Sequence, residues 1–149
     1  MNTEDCGSAG LSRVEFRQDR SGIDWHELER LFAEANLRGR KGDKLRRAFT
    51  NSQVVCYAYD AHRLVGVARA VTDGEYHAVV YDVAIHPDYQ GRGLGTRVMR
   101  NVLERLPVWR VMLVASHDVQ GFYVRLGFAA YADVMARLDA DGLYDAARE

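Results

Sequence analysis

The sequence predicts an α+β protein built on a mixed sheet. Three observations carry that reading. Short runs rich in Val, Ile and Tyr recur along the chain, at residues 54–59, 79–85 and 111–115, and such runs suit a pleated, partly buried surface. Stretches with apolar residues at helical spacing lie between them. The resulting order, β-α-α-β-β-β-α-β-α-β, mixes tight hairpins with helical crossovers, so the sheet is neither wholly parallel nor wholly antiparallel. A chain of 149 residues is long enough to bury one core without staples.

The elements follow in order. Met1 to Gly10 is polar and small and reads as a disordered tail, leaving residues 11–149 as a single domain. Ser12 to Gln18 alternates Val14 and Phe16 with charged residues, as a half-buried strand does. Asp24 is placed as the N-cap of a first helix, with Glu27 completing a capping-box-like pair; Trp25, Leu28, Leu31, Phe32 and Ala35 form its apolar face. The stretch from Asn36 to Gly42 breaks it, and Asp43 is placed as the cap of a second helix with Leu45, Ala48 and Phe49 inward. Gln53 to Tyr59 and Leu64 to Val71 form a hairpin around Asp60-Ala61-His62-Arg63, with Gly66 marking a bulge. Asp73-Gly74 is a turn before a fourth strand, Tyr76 to Ile85. Pro107 stops the long helix that follows. Trp109 to Ala115 is a fifth strand, Val119 to Leu126 a short helix closed by Gly127, and Phe128 to Leu138 a last strand or hairpin before a polar tail.

Composition excludes several classes. Twenty basic residues balance 21 acidic ones, with no basic stripe for nucleic acid and no acidic tail. Cys6 and Cys56 are too few for a disulfide framework and suit a reducing cytoplasm, with Cys56 a buried thiol. No apolar run reaches membrane-spanning length, and the start MNTEDCGSAG does not read as a signal peptide. The five histidines show no metal-ligand spacing.

The chemistry concentrates between Val79 and Leu106. An apolar strand ends at His86-Pro87-Asp88, and Gln90-Gly91-Arg92-Gly93-Leu94-Gly95 leads into a helix with Thr96, Val98, Met99, Val102, Leu103 and Leu106 at helical spacing. Glycines at a helix entrance let a ligand approach the backbone, and the free N–H groups of the first turn, with the helix dipole, favour a phosphate or pyrophosphate. The bland alternative is a tight turn that uses glycine only for its dihedrals. The run is not a P-loop, which needs Gly-x-x-x-x-Gly-Lys-Ser/Thr, and the two-apart spacing of Gly91, Gly93 and Gly95 does not match the dinucleotide fingerprint.

Gln90, Gly93 and Gly95 resemble the acetyl-CoA signature Gln/Arg-x-x-Gly-x-Gly/Ala of the GNAT superfamily of N-acetyltransferases. A second stretch, GFYVRLGF from Gly121 to Phe128, resembles that family's Phe/Leu-Tyr-x-x-x-Gly-Phe, one strand downstream. The resemblance covers about residues 12 to 138. It implies a GNAT-like, mostly antiparallel mixed sheet flanked by helices. The fourth and fifth strands would splay apart so that the pantetheine arm of acetyl-CoA fills the gap. It implies that Val83, Ala84 and Ile85 line the arm, with main-chain bonds from Val83 and Ile85. Gln90, Gly91, Arg92, Gly93, Leu94, Gly95 and Thr96 would hold the pyrophosphate. Ser116 stands where the family often has an asparagine on the pantetheine. The run Asp82, Pro87, Tyr89, Gln90, Gly91 looks similar to the small arylamine-acetylating, serotonin-type enzymes.

Acetyl transfer to an amine requires a polarised thioester, a deprotonated amine and a protonated leaving thiolate. Tyr123 is the candidate general acid, since a phenol of reference pKa ~10 is protonated and able to donate; a core aromatic is the other reading. Asp82, in an otherwise apolar strand, is either the general base or a carboxylate that fixes a neighbouring loop. Tyr81 is the next candidate, and only one of the two faces the cleft unless a bulge intervenes. Acceptor specificity is placed on Asn36 to Lys41 and on Tyr57, Tyr76 and Tyr131; the basic loop suits a cationic polyamine poorly. The expected activity is acetyl transfer from acetyl-CoA to a primary amine of a small molecule, with a non-catalytic acyl-CoA-binding module or a protein amine acceptor as alternatives. A monomer and a homodimer both fit the sequence.

Overall fold

The computed structural model describes residues 10–37 and 39–137. Residues 1–9 of the expected N-terminal tail, Arg38 and the expected polar C-terminal tail lie outside the described residues. The chain divides into two compact units between Leu113 and Val114.

The first unit runs β1 (Val14–Arg17), α1 (Trp25–Glu34), α2 (Gly42–Thr50), β2 (Val54–Asp60), β3 (Arg63–Thr72), β4 (His77–Ile85), a 3₁₀ turn (Pro87–Tyr89), α3 (Leu94–Leu103) and β5 (Arg110–Met112). The strands form one sheet in chain order. β1 to β4 pair antiparallel, with α1 and α2 between β1 and β2 and short loops between β2, β3 and β4, and α3 carries the chain back so that β5 lies parallel to β4. Alternation along the strands sorts the two faces. Val55, Tyr57 and Tyr59 on β2, Val67 on β3 and Ala84 on β4 join Leu28, Leu31 and Phe32 of α1 and Leu45 and Phe49 of α2 in one buried cluster. The opposite face receives α3, whose Leu94, Val98, Met99 and Val102 are buried.

Local chemistry sets most element ends. The Asp24 carboxylate accepts from the N–H groups of His26 and Glu27 and caps α1. Glu27 does not close a capping box: its carboxylate accepts from Leu64 N–H at 2.8 Å and ties α1 to β3. Asp43 does not cap α2. That helix starts at Gly42 with Lys41 as an N-cap lacking a side-chain bond, because the Gly42 N–H is taken by the Glu29 carboxylate of α1. Asp43 sits in the first turn, where its charge complements the helix dipole. Between β3 and β4, Asp73 Oδ1 accepts from the N–H groups of Glu75, Tyr76 and His77 and folds the turn.

The second unit holds α4 (Gln120–Arg125). Its end is a Schellman closure: Gly127 at φ +92° donates to Val124 O and Phe128 N–H reaches Tyr123 O, both at 3.0 Å. The strand expected from Phe128 onward is absent over residues 128–137. The Ala-rich start of that stretch favours strand weakly, and Tyr131, Val134 and Met135 are exposed at 50%, 57% and 96%, so it buries no face that would hold it in a ladder.

Gly66 does more than mark a bulge. The β2–β3 register slips beside it, with Ala58 opposite Gly66 and Tyr59 opposite Leu64, which leaves Val65 as the extra residue. A Cβ at Gly66 would lie 3.1 Å from Ile85 Cδ1 and 3.3 Å from Ala58 Cβ and Val98 Cγ2, so three strands and α3 converge on a space where a side chain would crowd its neighbours. Gly66→Val is expected to destabilise the fold by about 1–3 kcal/mol through overpacking, read as a lower Tm and urea midpoint; a parent-like melting curve would refute the close packing.

Candidate active site

β4 delivers the chain to the glycine loop through a stiff corner. His86 N–H donates to Val65 O at 2.8 Å, and the His86 Nδ1 accepts from Asp88 N–H at 3.1 Å, opening the 3₁₀ turn. Tyr89 is buried and its hydroxyl is bonded to the Asp60 carboxylate; that bond holds the phenol above its ordinary range. Gln90 Nε2 donates to Ile85 O at 2.9 Å and clamps the loop to the strand end. Gly91 and Gly93 then take φ +72° and +87°, a region that disfavours any residue with a Cβ. Nothing lies within 4 Å of a Cβ placed at either, so the space before them is open.

Gly93 is the N-cap of α3, and no side chain caps the helix. The ladder opens with Arg97 N–H to Gly93 O at 3.2 Å. The N–H groups of Leu94, Gly95 and Thr96 precede it, in the position where a helix binds anions. Leu94 is fully buried and roots this turn in the core. Arg92 points back on the corner: its guanidinium lies 5.2 Å from the Tyr89 ring centre and donates to Asp88 O at 3.3 Å.

β4 itself is irregular where the chemistry was expected. Arg69 pairs with Tyr81 and Val67 with Ala84, so β4 spends one more residue than β3 between those pairs. The extra residue falls beside Asp82, whose φ is +54°, a conformation that costs about 1–2 kcal/mol for a residue with a Cβ. The bulge brings Tyr81 and Asp82 to one side of the sheet. Arg69 touches both, with its guanidinium 4.9 Å from the Tyr81 ring centre and its Nε 2.6 Å from Asp82 Oδ2. Arg40 Nε binds the other oxygen, Oδ1, at 2.7 Å, and the Asp82 side chain is 2% exposed. Tyr81 remains 41% exposed.

The other edge of β4 has β5 partners only at His77, Ala78 and Val79 among the described residues. Val83, Ala84 and Ile85 lie beyond that short ladder, with Ala84 and Ile85 held by Val67 and Gly66 on the β3 side. Ser116 and Tyr123 belong to the second unit. Ser116 donates to Asp118 Oδ1 at 2.5 Å, which lowers the Asp118 carboxyl below its usual range. Tyr123 packs edge-on between Phe122 and Phe128, at 4.9 and 5.9 Å, and burial raises its phenol above the ordinary value.

On the expected acceptor side, Tyr57 is not a surface residue: it is fully buried against Phe49 at 5.9 Å, since β2 is central and its odd-numbered side chains all point into the cluster beneath α1 and α2. Tyr76 and Tyr131 are exposed at 63% and 50%. The connection from Asn36 to Lys41 borders a cleft of about 520 Å³ that Arg40 and Lys41 share with Arg30, Ala33 and Leu37. Reading the sequence alone missed Arg69. Its signal was a lone charge in the apolar β3 run Val65 to Val71, one strand away from the lone charge Asp82. Among the described residues, no group of His, Cys, Asp and Glu could hold a metal ion, and no helix is long and apolar enough to cross a membrane.

Known proteins are similar to this chain in sequence and fold. Serotonin N-acetyltransferase 2, chloroplastic, from Oryza sativa subsp. japonica is 38% identical over 126 residues, covering 80% of this chain and 63% of that protein. The uncharacterized N-acetyltransferase ycf52 of Pyropia yezoensis is 35% identical, covering 78% of this chain and 73% of that protein. The chain thus spans about two thirds of the length of these relatives. A crystal structure ascribed to the GNAT family from Xanthomonas campestris pv. campestris superposes with a TM-score of 0.73 at 27% identity, covering 88% of this chain and 96% of the other. The model of the Acetyltransferase (GNAT) family matches residues 15–128, from β1 to the residue that closes α4, and the chain therefore belongs to that family.

Proposed function

We propose that the protein transfers the acetyl group of acetyl-CoA to a primary amine of a small molecule. The observation that carries this reading is the uncapped start of α3, opened by two glycines at positive φ and facing open space. The pyrophosphate of acetyl-CoA is the matching guest, received by the N–H groups from Leu94 to Thr96 with Gln90 to Gly93 shaping the approach. The main chain of Val83 and Ile85 receives the pantetheine amides. Similarity to a protein named serotonin N-acetyltransferase 2 supports an arylamine-type acceptor.

In the reaction the neutral amine attacks the thioester carbonyl carbon. The tetrahedral intermediate collapses with loss of the C–S bond, and the thiolate takes a proton from Tyr123. The burial that raises its phenol keeps Tyr123 protonated throughout the neutral range, which is the state an acid needs. The proton released by the attacking amine passes to solvent water, and the Tyr123 phenolate takes a proton back from water, which restores the acid. Steady-state assay of free thiol, with acetyl-CoA and a panel of arylalkylamines, amino acids and a peptide amine, tests this reading; acetyl-CoA binding without thiol release on any amine would indicate a sensing module instead.

Two variants probe the parts. Asp at the second position of a helix is favourable to the helix, so Gly95→Asp is expected to fold at least as well as the parent. A like charge a few ångströms from the pyrophosphate should nonetheless weaken acetyl-CoA binding about ten-fold or more. Titration calorimetry showing parent-like affinity in a folded Gly95→Asp protein would remove the anion site from this loop. Tyr123→Phe keeps the ring packing and deletes the proton donor. Its kcat is expected to drop about ten-fold or more while KM for acetyl-CoA holds. An unchanged kcat, with chemistry shown to be rate-limiting, would exclude the role.

A further inference from the structure

We propose that Asp82 is a positioning residue: it latches the α1–α2 connection onto the bulge of β4 through Arg40, and the latched connection forms one wall of the acceptor cleft. The inference rests on the acetyltransferase reading and extends it to the acceptor side.

Asp82 is committed on both oxygens. Arg40 Nε from the connection and Arg69 Nε from β3 each hold one, at 2.7 and 2.6 Å, as charge-assisted bonds do. With 2% of the side chain exposed, no face remains for an ammonium or a water to deliver a proton. Arg69 is the fixed half of the latch. It is 14% exposed, donates through Nη1 to Ser52 Oγ at 3.2 Å, and lies against the rings of Tyr81 and Phe49. Ser52 in turn donates to Ala48 O of α2 at 2.8 Å. Arg40 is the movable half: its side chain is 42% exposed, and it projects from a connection that has left helical geometry, with Asn36 and Gly39 at φ +64° and +87°. The same connection supplies Leu37, Gly39 and Lys41 to the cleft of about 520 Å³ whose other side is α1. A bond that holds Arg40 to β4 therefore holds that wall, and the strained backbone of Asp82 is what aims the carboxylate at both guanidiniums.

The test uses Arg40→Gln, Arg40→Lys and Asp82→Asn in the full chain. Without ligand, hydrogen exchange of the amides of residues 39–42 is expected to speed up about ten-fold in Arg40→Gln and Asp82→Asn, since exchange reads local opening; Arg40→Lys is expected to recover part of the protection. In turnover, KM for the amine should rise about five-fold or more while KM for acetyl-CoA stays within about two-fold, which separates loss of acceptor binding from loss of donor binding. The pH profile of kcat/KM for Asp82→Asn should keep the parent's shape. Recovery of that variant at high pH would make Asp82 the proton acceptor and overturn the proposal, as would parent-like exchange and amine KM in Arg40→Gln. Should Asp82→Asn fail to fold, Arg40→Gln decides alone. If the parent turns over no amine, the acetyltransferase reading fails while the exchange rates still judge the latch.

Discussion

The first unit depends on one extra residue in β4. A strand paired to β3 along its whole length would alternate its side chains strictly, sending Tyr81 and Asp82 to opposite faces. The slip between the Arg69–Tyr81 and Val67–Ala84 pairs puts both on one side, and the left-handed backbone of Asp82 is the local cost. That cost persists because the carboxylate is bonded by two guanidiniums drawn from separate parts of the chain. Two strands and a connection are thereby referenced to a single point, which is how a bulge becomes more than a defect in a sheet.

The other end of β4 solves a different problem. The strand must stop, turn and restart as a helix without covering the helix's free N–H groups. Bonds to side chains accomplish the stop: Gln90 on Ile85 O, His86 on Asp88 N–H, and Tyr89 on Asp60. All three hold the corner without bonding an N–H of Leu94, Gly95 or Thr96, and the space beside Gly91 and Gly93 is open. A serine or aspartate at the N-cap would have filled one of those N–H groups itself; Gly93 has no side chain to do so. Close packing behind the site has the same character. Gly66 leaves room for Ile85 and Val98 to pack close to β3, which sets how near α3 stands to that strand.

Charge is spent differently on the two sides of this unit. At the α3 entrance the positive potential comes from backbone dipoles, with Arg92 folded back over Tyr89. Around the α1–α2 connection the charge comes from side chains, Arg30, Arg40 and Lys41 with the Glu29 carboxylate among them and the buried Asp82 carboxylate on Arg40. Backbone dipoles are fixed by the helix that carries them. Side chains on a connection can be exchanged without rebuilding the fold.

Much of the chain was legible in the sequence because it is decided by near neighbours. Asp24 capping α1, the Asp73 turn, the glycine entrance to α3 and the Schellman end at Gly127 each involve atoms within a few residues, and the types present leave little choice. Hydrophobic periodicity likewise placed five strands and four helices to within a few residues. Partners far apart in sequence were not legible. Glu27 reads as half of a capping box yet serves Leu64, 37 residues away. Asp82 finds Arg69 at a separation of 13 and Arg40 at 42. Tyr57 looks like a cleft residue in a β-branched run until the sheet order makes β2 central and buries it. The run after Phe128 has apolar residues enough for a strand, but strands are stabilised by a paired edge and a covered face, and a single sequence says nothing about whether either will be there. Local bonding belongs to the sequence; register, bulges and long-range ion pairs are settled only when the sheet has assembled and burial makes an unpaired charge untenable.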